Sequence, residues 1–169
     1  KQLEKEIAKL CGVDKAVCLS PATAALESIL QILDIGPGDE VITTAYTYTA
    51  TASVVCHIGA TLRFVDTQKD SLEMDYDQMA ECINERTKAV IPVDLAGIPC
   101  NYEKVFAAIE SKKHLFQPKS DLQKLFGRVI VVADGAHALG AQWRGKMVGA
   151  IADFTSFSFH AVKNFTTGE

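Results

Sequence analysis

Apolar residues recur along this chain at two spacings, one matching a helix face and one matching a strand, and the two alternate along its length. At the N-terminus Leu3, Ile7 and Leu10 share one face among Lys and Glu, and Gly12 offers a stop, so residues 3–10 predict a helix. Residues 16–19 predict a first short strand. Ser20-Pro21 then reads as the N-cap and first position of a helix that carries Ala25, Leu26, Ile29, Leu30 and Leu33 until Gly36-Pro37-Gly38 ends it. Further strands are expected at 40–43, 61–65, 88–93 and 129–133. Helices are expected at 49–58, closed by Gly59, and at 75–84 and 102–111. Residues 112–128, polar and Lys-rich, predict an extended surface connection with one helical turn at 121–126.

Alternation of this kind points to an α/β fold: a mainly parallel sheet sandwiched by helices, because parallel neighbours need crossover connections and both sheet faces need cover. In such sheets ligands gather beyond the carboxyl ends of the strands, so polar residues that follow strands are the ones to inspect.

Composition narrows the field. With 48% hydrophobic and 22% charged residues the chain is too apolar to be disordered, and no apolar run reaches the roughly 18 residues of a membrane span. A length of 169 residues fits one compact domain. The net charge of -4, with Lys and Arg scattered, gives no basic face for a nucleic-acid backbone. Cys11, Cys18, Cys56, Cys82 and Cys100 are odd in number, widely spaced and without metal-ligand spacing, so they read as reduced thiols of a cytoplasmic protein with no metal site. The charged N-terminal stretch lacks an apolar signal core. The chain starts at Lys1 inside a helical pattern and stops at Glu169 after a polar turn, which reads as a fragment.

Four segments at strand exits could carry chemistry. In Ser20-Pro21-Ala22-Thr23-Ala24 a strand turns into a helix, where unpaired N–H groups and the helix dipole favour a phosphate approached past small residues; an ordinary capped helix needs the same residues. Asp134, leaving the most apolar strand, must meet a cation or several donors if buried, and a protonated ring nitrogen would serve; capping the next turn is the plainer role. Nearby His137 taken alone is an ordinary core or loop histidine. From Asp153 to Asn164 aromatics and hydroxyls alternate toward Lys163, with Phe157 and Phe159 on one face and Ser156, Ser158 and His160 on the other. A lysine in a partly desolvated pocket is a usable amine nucleophile, although most lysines are solvated. In the fourth segment, 43–51, Tyr46 or Tyr48 could stack on a flat ring or simply pack a helix start. No P-loop, nucleophile elbow or G-x-G-x-x-G is present.

Together these segments resemble the DegT/DnrJ/StrS family of sugar aminotransferases, a branch of the fold-type-I enzymes that use pyridoxal 5'-phosphate (PLP). The resemblance runs from Leu3-Glu4-Lys5-Glu6 through Gly36-Pro37-Gly38-Asp39-Glu40, Arg86-Thr87-Lys88-Ala89-Val90-Ile91-Pro92-Val93 and Asp134-Gly135-Ala136-His137-Ala138. It ends in the specific stretch Phe157-Ser158-Phe159-His160-Ala161-Val162-Lys163-Asn164-Phe165-Thr166-Thr167-Gly168-Glu169.

The resemblance implies a PLP-binding large domain over residues 1–169, without the smaller C-terminal domain. It implies that Lys163 bonds the cofactor and moves the proton, that Asp134 holds the pyridine nitrogen protonated, and that His137 lies near the ring's 3-hydroxyl. Tyr48 falls at the stacking position, and Ala22, Thr23, Ala24 and Ser158 at the phosphate, Ala22 standing where many members have Gly. The implied reaction takes an amino group, usually from glutamate, to a nucleotide-linked keto sugar at a homodimer interface, in pathways such as cell-envelope polysaccharide synthesis. A PLP-dependent sugar dehydratase or an aminodehydroquinate-type synthase is the alternative on the same fold, and an inactive PLP-holding or dimerising fragment is another. Lys163 favours transamination, since the dehydratases carry His there. The 112–128 connection is longer than the family usually has.

Overall fold

A computed structural model describes residues 1–167. The apolar runs become strands β1 (Glu40–Thr44), β2 (Thr61–Val65), β3 (Thr87–Ile91), β4 (Ile130–Asp134) and a shorter β7 (Phe154–Ser156). They form one sheet in the order β2-β1-β3-β4-β7, and every neighbouring pair is parallel. All strands therefore leave the sheet along the same edge.

Successive residues of the central strands point to opposite faces, and each face meets helices. On one face Val41, Ala89, Ile91, Ile130 and Val132 pack with Leu26 and Leu30 of α2 (Ala22–Ile32) and Val54 and Val55 of α3 (Thr49–His57). On the other, Ile42, Val90, Val131 and Ala133 pack with Met79 of α4 (Tyr76–Cys82) and with Tyr102, Val105 and Ile109 of α5 (Tyr102–Ser111). This is the helix-covered parallel sheet that the alternation predicts. Asp75 caps α4 by accepting from the N–H groups of Asp77 and Gln78, and Gly12, at φ 70, closes α1 (Gln2–Cys11).

The fold departs from the sequence expectation in several places. Residues 16–19 form no strand, with Val17 72% and Leu19 50% exposed. Among the described residues no strand lies beside them, and β propensity without a ladder partner makes no strand. Pro21, not Ser20, is the N-cap residue of α2, with no side-chain cap bond. The strand expected to run on toward Lys163 stops at Ser156, because its partner β4 ends at Asp134.

The 112–128 connection is docked rather than loose. It carries α6 (Asp121–Phe126), whose fully buried Gln123 donates Nε2 to Leu33 O at 2.7 Å, and its Lys119 meets Asp39 Oδ1 at 2.8 Å. A hairpin of β5 (Gln142–Trp143) and β6 (Lys146–Met147) turns on Arg144 and Gly145, both at positive φ; without an Asn-Gly or Asp-Gly pair it left little trace in the sequence. No helix among the described residues is long and apolar enough to cross a membrane.

Candidate active site

The site forms where β4 and β7 end together. Asp134, the last residue of β4, is 7% exposed. Its Oδ2 accepts from Thr51 Oγ1 at 2.6 Å and its Oδ1 from Ala136 N at 3.1 Å. Thr51 has one hydroxyl proton and gives it to Asp134, so Thr47, 2.8 Å away, donates to Thr51. Among the described residues no Lys, Arg or His pairs with this carboxylate, which leaves a buried negative charge held by neutral donors and suited to a cationic partner. Sequence reasoning passed over Thr51 as a functional residue. The four-residue spacing of Thr47 and Thr51, one helical turn, was the signal available.

His137 and Lys163 come together from different loops: Lys163 Nζ lies 2.9 Å from His137 Nε2. Behind the ring, Ala96 N donates to His137 Nδ1 at 3.2 Å. A turn sets the lysine, with Lys163 N donating to His160 O at 2.9 Å, and Asn164 Nδ2 donating to Leu139 O at 2.8 Å ties that turn to the loop bearing His137. Gly135 leaves little room for a side chain, because a Cβ there would stand 3.1 Å from the Phe157 ring and 3.0 Å from Thr155 Cγ2.

The helix start at Ala22, Thr23 and Ala24 faces the same region. Ser156 of β7 donates Oγ to Ala22 O at 3.3 Å, and Pro21 contributes no side-chain cap, so the first turn presents a positive dipole end without a side-chain cap bond, its Ala24 N donating to Pro21 O at 3.0 Å. Ser158, half-buried, follows β7 by two residues, and its Oγ accepts from His160 N at 3.4 Å. Tyr48 is the N-cap residue of α3, three residues before Thr51, and its ring is 75% exposed. Contacts thus make two pairs, Asp134 with Thr51 and His137 with Lys163, while Tyr48 and Ser158 follow strands β1 and β7 and Ala22 meets Ser156 of β7. Among the described residues no group of three His, Cys, Asp or Glu is placed to hold a metal ion.

Beside Asp134 lies a second buried acid. Asp94 accepts from Cys100 N at 2.9 Å and from Tyr102 Oη at 2.8 Å. Burial pushes its carboxyl up to about 6; those two donors hold it back, and the charge of Asp134 adds to the rise. The native chain therefore keeps this proton to higher pH than the unfolded chain does. Asp94's contribution to stability is full below about pH 4 and is lost as pH rises through about 6. Asp94→Asn has no proton to lose, so its stability relative to the parent should rise by about 2–3 kcal/mol between pH 4 and 6 and stay level above. Urea unfolding of both proteins across that window checks it, and a pH-independent difference would contradict it.

The sequence profile of the DegT/DnrJ/EryC1/StrS aminotransferase family matches residues 1–169. The spore coat polysaccharide biosynthesis protein SpsC of Bacillus subtilis is 37% identical over 169 residues, which are 100% of this chain and 40% of that protein. The UDP-4-amino-4-deoxy-L-arabinose-oxoglutarate aminotransferase of Shewanella sediminis is 37% identical over 168 residues, 99% of this chain and 39% of that protein. Among solved structures, the PLP form of Spr1654 from Streptococcus pneumoniae matches with a TM-score of 0.98 at 54% identity, covering 99% of this chain and 43% of that one. The chain spans about two fifths of the length of the curated relatives it matches.

Proposed function

This chain belongs to the DegT/DnrJ/EryC1/StrS aminotransferase family, and from that premise we propose that residues 1–169 form the PLP-binding large domain of an aminotransferase acting on a nucleotide-linked keto sugar. The observation that carries the reading is the Lys163–His137 contact of 2.9 Å beside a buried Asp134 that has no basic partner among the described residues. A lysine nucleophile and an anion for a pyridinium are groups a PLP enzyme uses, and the imidazole of His137 lies beside that lysine. The residues fit the cofactor.

Bound there, PLP supplies an electron sink for negative charge developing on the substrate carbon next to nitrogen. Asp134 holds the positive ring nitrogen, and Thr51 and Ala136 hold Asp134 in place. Ala22, Thr23, Ala24 and Ser158 would hold the phosphate at the start of α2, and Tyr48 would pack on the ring. Lys163 would be the amine that holds the cofactor and the group that carries a proton, with His137 directing that amine.

The Shewanella relative's name supports a nucleotide-linked sugar and, through oxoglutarate, glutamate as the amino donor. The name of SpsC supports a place in cell-envelope polysaccharide synthesis. Five free thiols support a reducing compartment, the cytoplasm. Exposed Val162 and Phe165 beside Lys163 support cover by a second subunit in a homodimer.

Adding PLP to the full-length protein should give a visible absorbance band that Lys163→Ala abolishes, and glutamate should convert it to the pyridoxamine form. Absence of the band in the parent, or its survival in Lys163→Ala, overturns the assignment.

A further inference from the structure

We propose that the turn at Asp94–Gly97 is a positioning device that fixes His137 in the tautomer with its proton on Nε2, so that the ring donates to the Lys163 nitrogen. The inference rests on the reading of Lys163 as the amine nucleophile, and it concerns how that amine is held.

A neutral imidazole has one donor and one acceptor nitrogen. Ala96 N–H points at Nδ1 from 3.2 Å, which makes Nδ1 the acceptor and places the proton on Nε2. The 2.9 Å contact to Lys163 then uses the lone pair of the amine. An ammonium at Lys163 would need Nε2 as acceptor, leaving the ring without a proton on either nitrogen. The backbone of the turn thus sets which ring nitrogen carries the proton that faces the lysine.

The turn is built to hold that N–H in place. Ala96 sits at φ 53, a left-handed conformation that a residue with a Cβ rarely adopts, and such strain persists only where the surroundings enforce it. Asp94 enforces it: its N–H donates to Asp134 O at 3.0 Å, its carbonyl accepts from Gly97 N at 3.3 Å, and its carboxyl is gripped by Cys100 N and Tyr102 Oη. Gly97, at φ 79, lies so close to the histidine that a Cβ would stand 3.0 Å from His137 O. Two loops distant in sequence are packed together here at the limit of contact.

Nitrogen-15 NMR of the histidine-labelled full-length protein without cofactor, at about pH 8 where an imidazole is neutral, reads the tautomer directly, with His137→Gln assigning the signals. We expect an unprotonated Nδ1 and a protonated Nε2 at His137. A protonated Nδ1 overturns the proposal. Gly97→Ala should move the two ring signals toward each other as both tautomers become populated, and Gly12→Ala, also at positive φ but with open space around it, should leave them unchanged. A folded Gly97→Ala protein with parental ring signals overturns the proposal, and if that variant does not fold the parent spectrum alone decides. Because no cofactor is present, loss of the PLP reading would leave this result standing, and a wrong tautomer would leave the PLP band intact.

Discussion

Asp134→Asn is expected to weaken PLP binding by about a hundredfold, close to 3 kcal/mol, while leaving the fold of the protein without cofactor as stable as before or more so. The asymmetry follows from burial. In the free protein the carboxylate is held by a hydroxyl and one backbone N–H, and a buried charge with only neutral donors is costly. The amide keeps similar volume and can still accept from Thr51, so little is lost without the ligand. With a pyridinium present, the amide offers a dipole where the acid offered a charge. Titrating PLP into parent and variant by absorbance or fluorescence measures the difference. Equal affinity would show that the ring nitrogen draws nothing from Asp134 and would undo its assigned role.

Asp153→Ala is expected to lower the stability of the protein by about 3–5 kcal/mol, the cost of breaking a partly buried ion pair from one side. Asp153 binds Arg128 at two points, 2.8 Å each, and its Oδ2 also accepts from Val131 N at 2.8 Å. Arg128 in turn lies over the Phe106 ring at 5.0 Å. The aspartate thus ties the start of β7 to β4 just before the two strands pair, and β7 sets where Ser158 and Lys163 emerge. Asp153→Asn keeps the Val131 contact and should lose roughly half as much, since neutral hydrogen bonds carry about half the strength of charge-assisted ones. Urea midpoints for the three proteins test the order. A loss under about 1 kcal/mol for the alanine variant would place this pair with ordinary surface pairs.

The helix and strand periods survive into the fold wherever a segment has a partner. β2 and α5 fall on the residues the pattern predicts, and in α5 the buried Tyr102, Val105 and Ile109 carry the one-face burial written into the spacing of apolar side chains. Residues 16–19 carry the same apolar content and form nothing regular, since a strand is a property of two paired segments and none among the described residues pairs with them. Asp134 and Lys163 stand out in the sequence as candidates after expected strands, but the roles given to them come from the family resemblance, and the strand expected to reach Lys163 ends at Ser156. Thr51 and the Asp94–Gly97 turn do not stand out, because their roles come from contacts made across 83 residues in one case and 41 in the other. Gln123 reads as solvated in sequence for the same reason: its buried partner, Leu33 O, is 90 residues away.

That glutamine has a bearing on how an anion is received at the far end of the same helix. α2 is fastened at both termini, by Gln123 on the carbonyl of Leu33 and by Ser156 on the carbonyl of Ala22, with Leu26 and Leu30 sunk into the sheet between them. A rod pinned in this way can neither slide along its axis nor roll. Under the proposed function, a phosphate at its first turn would meet amide groups held by a fastened helix, and the 112–128 connection, through Gln123, would be part of what fastens it.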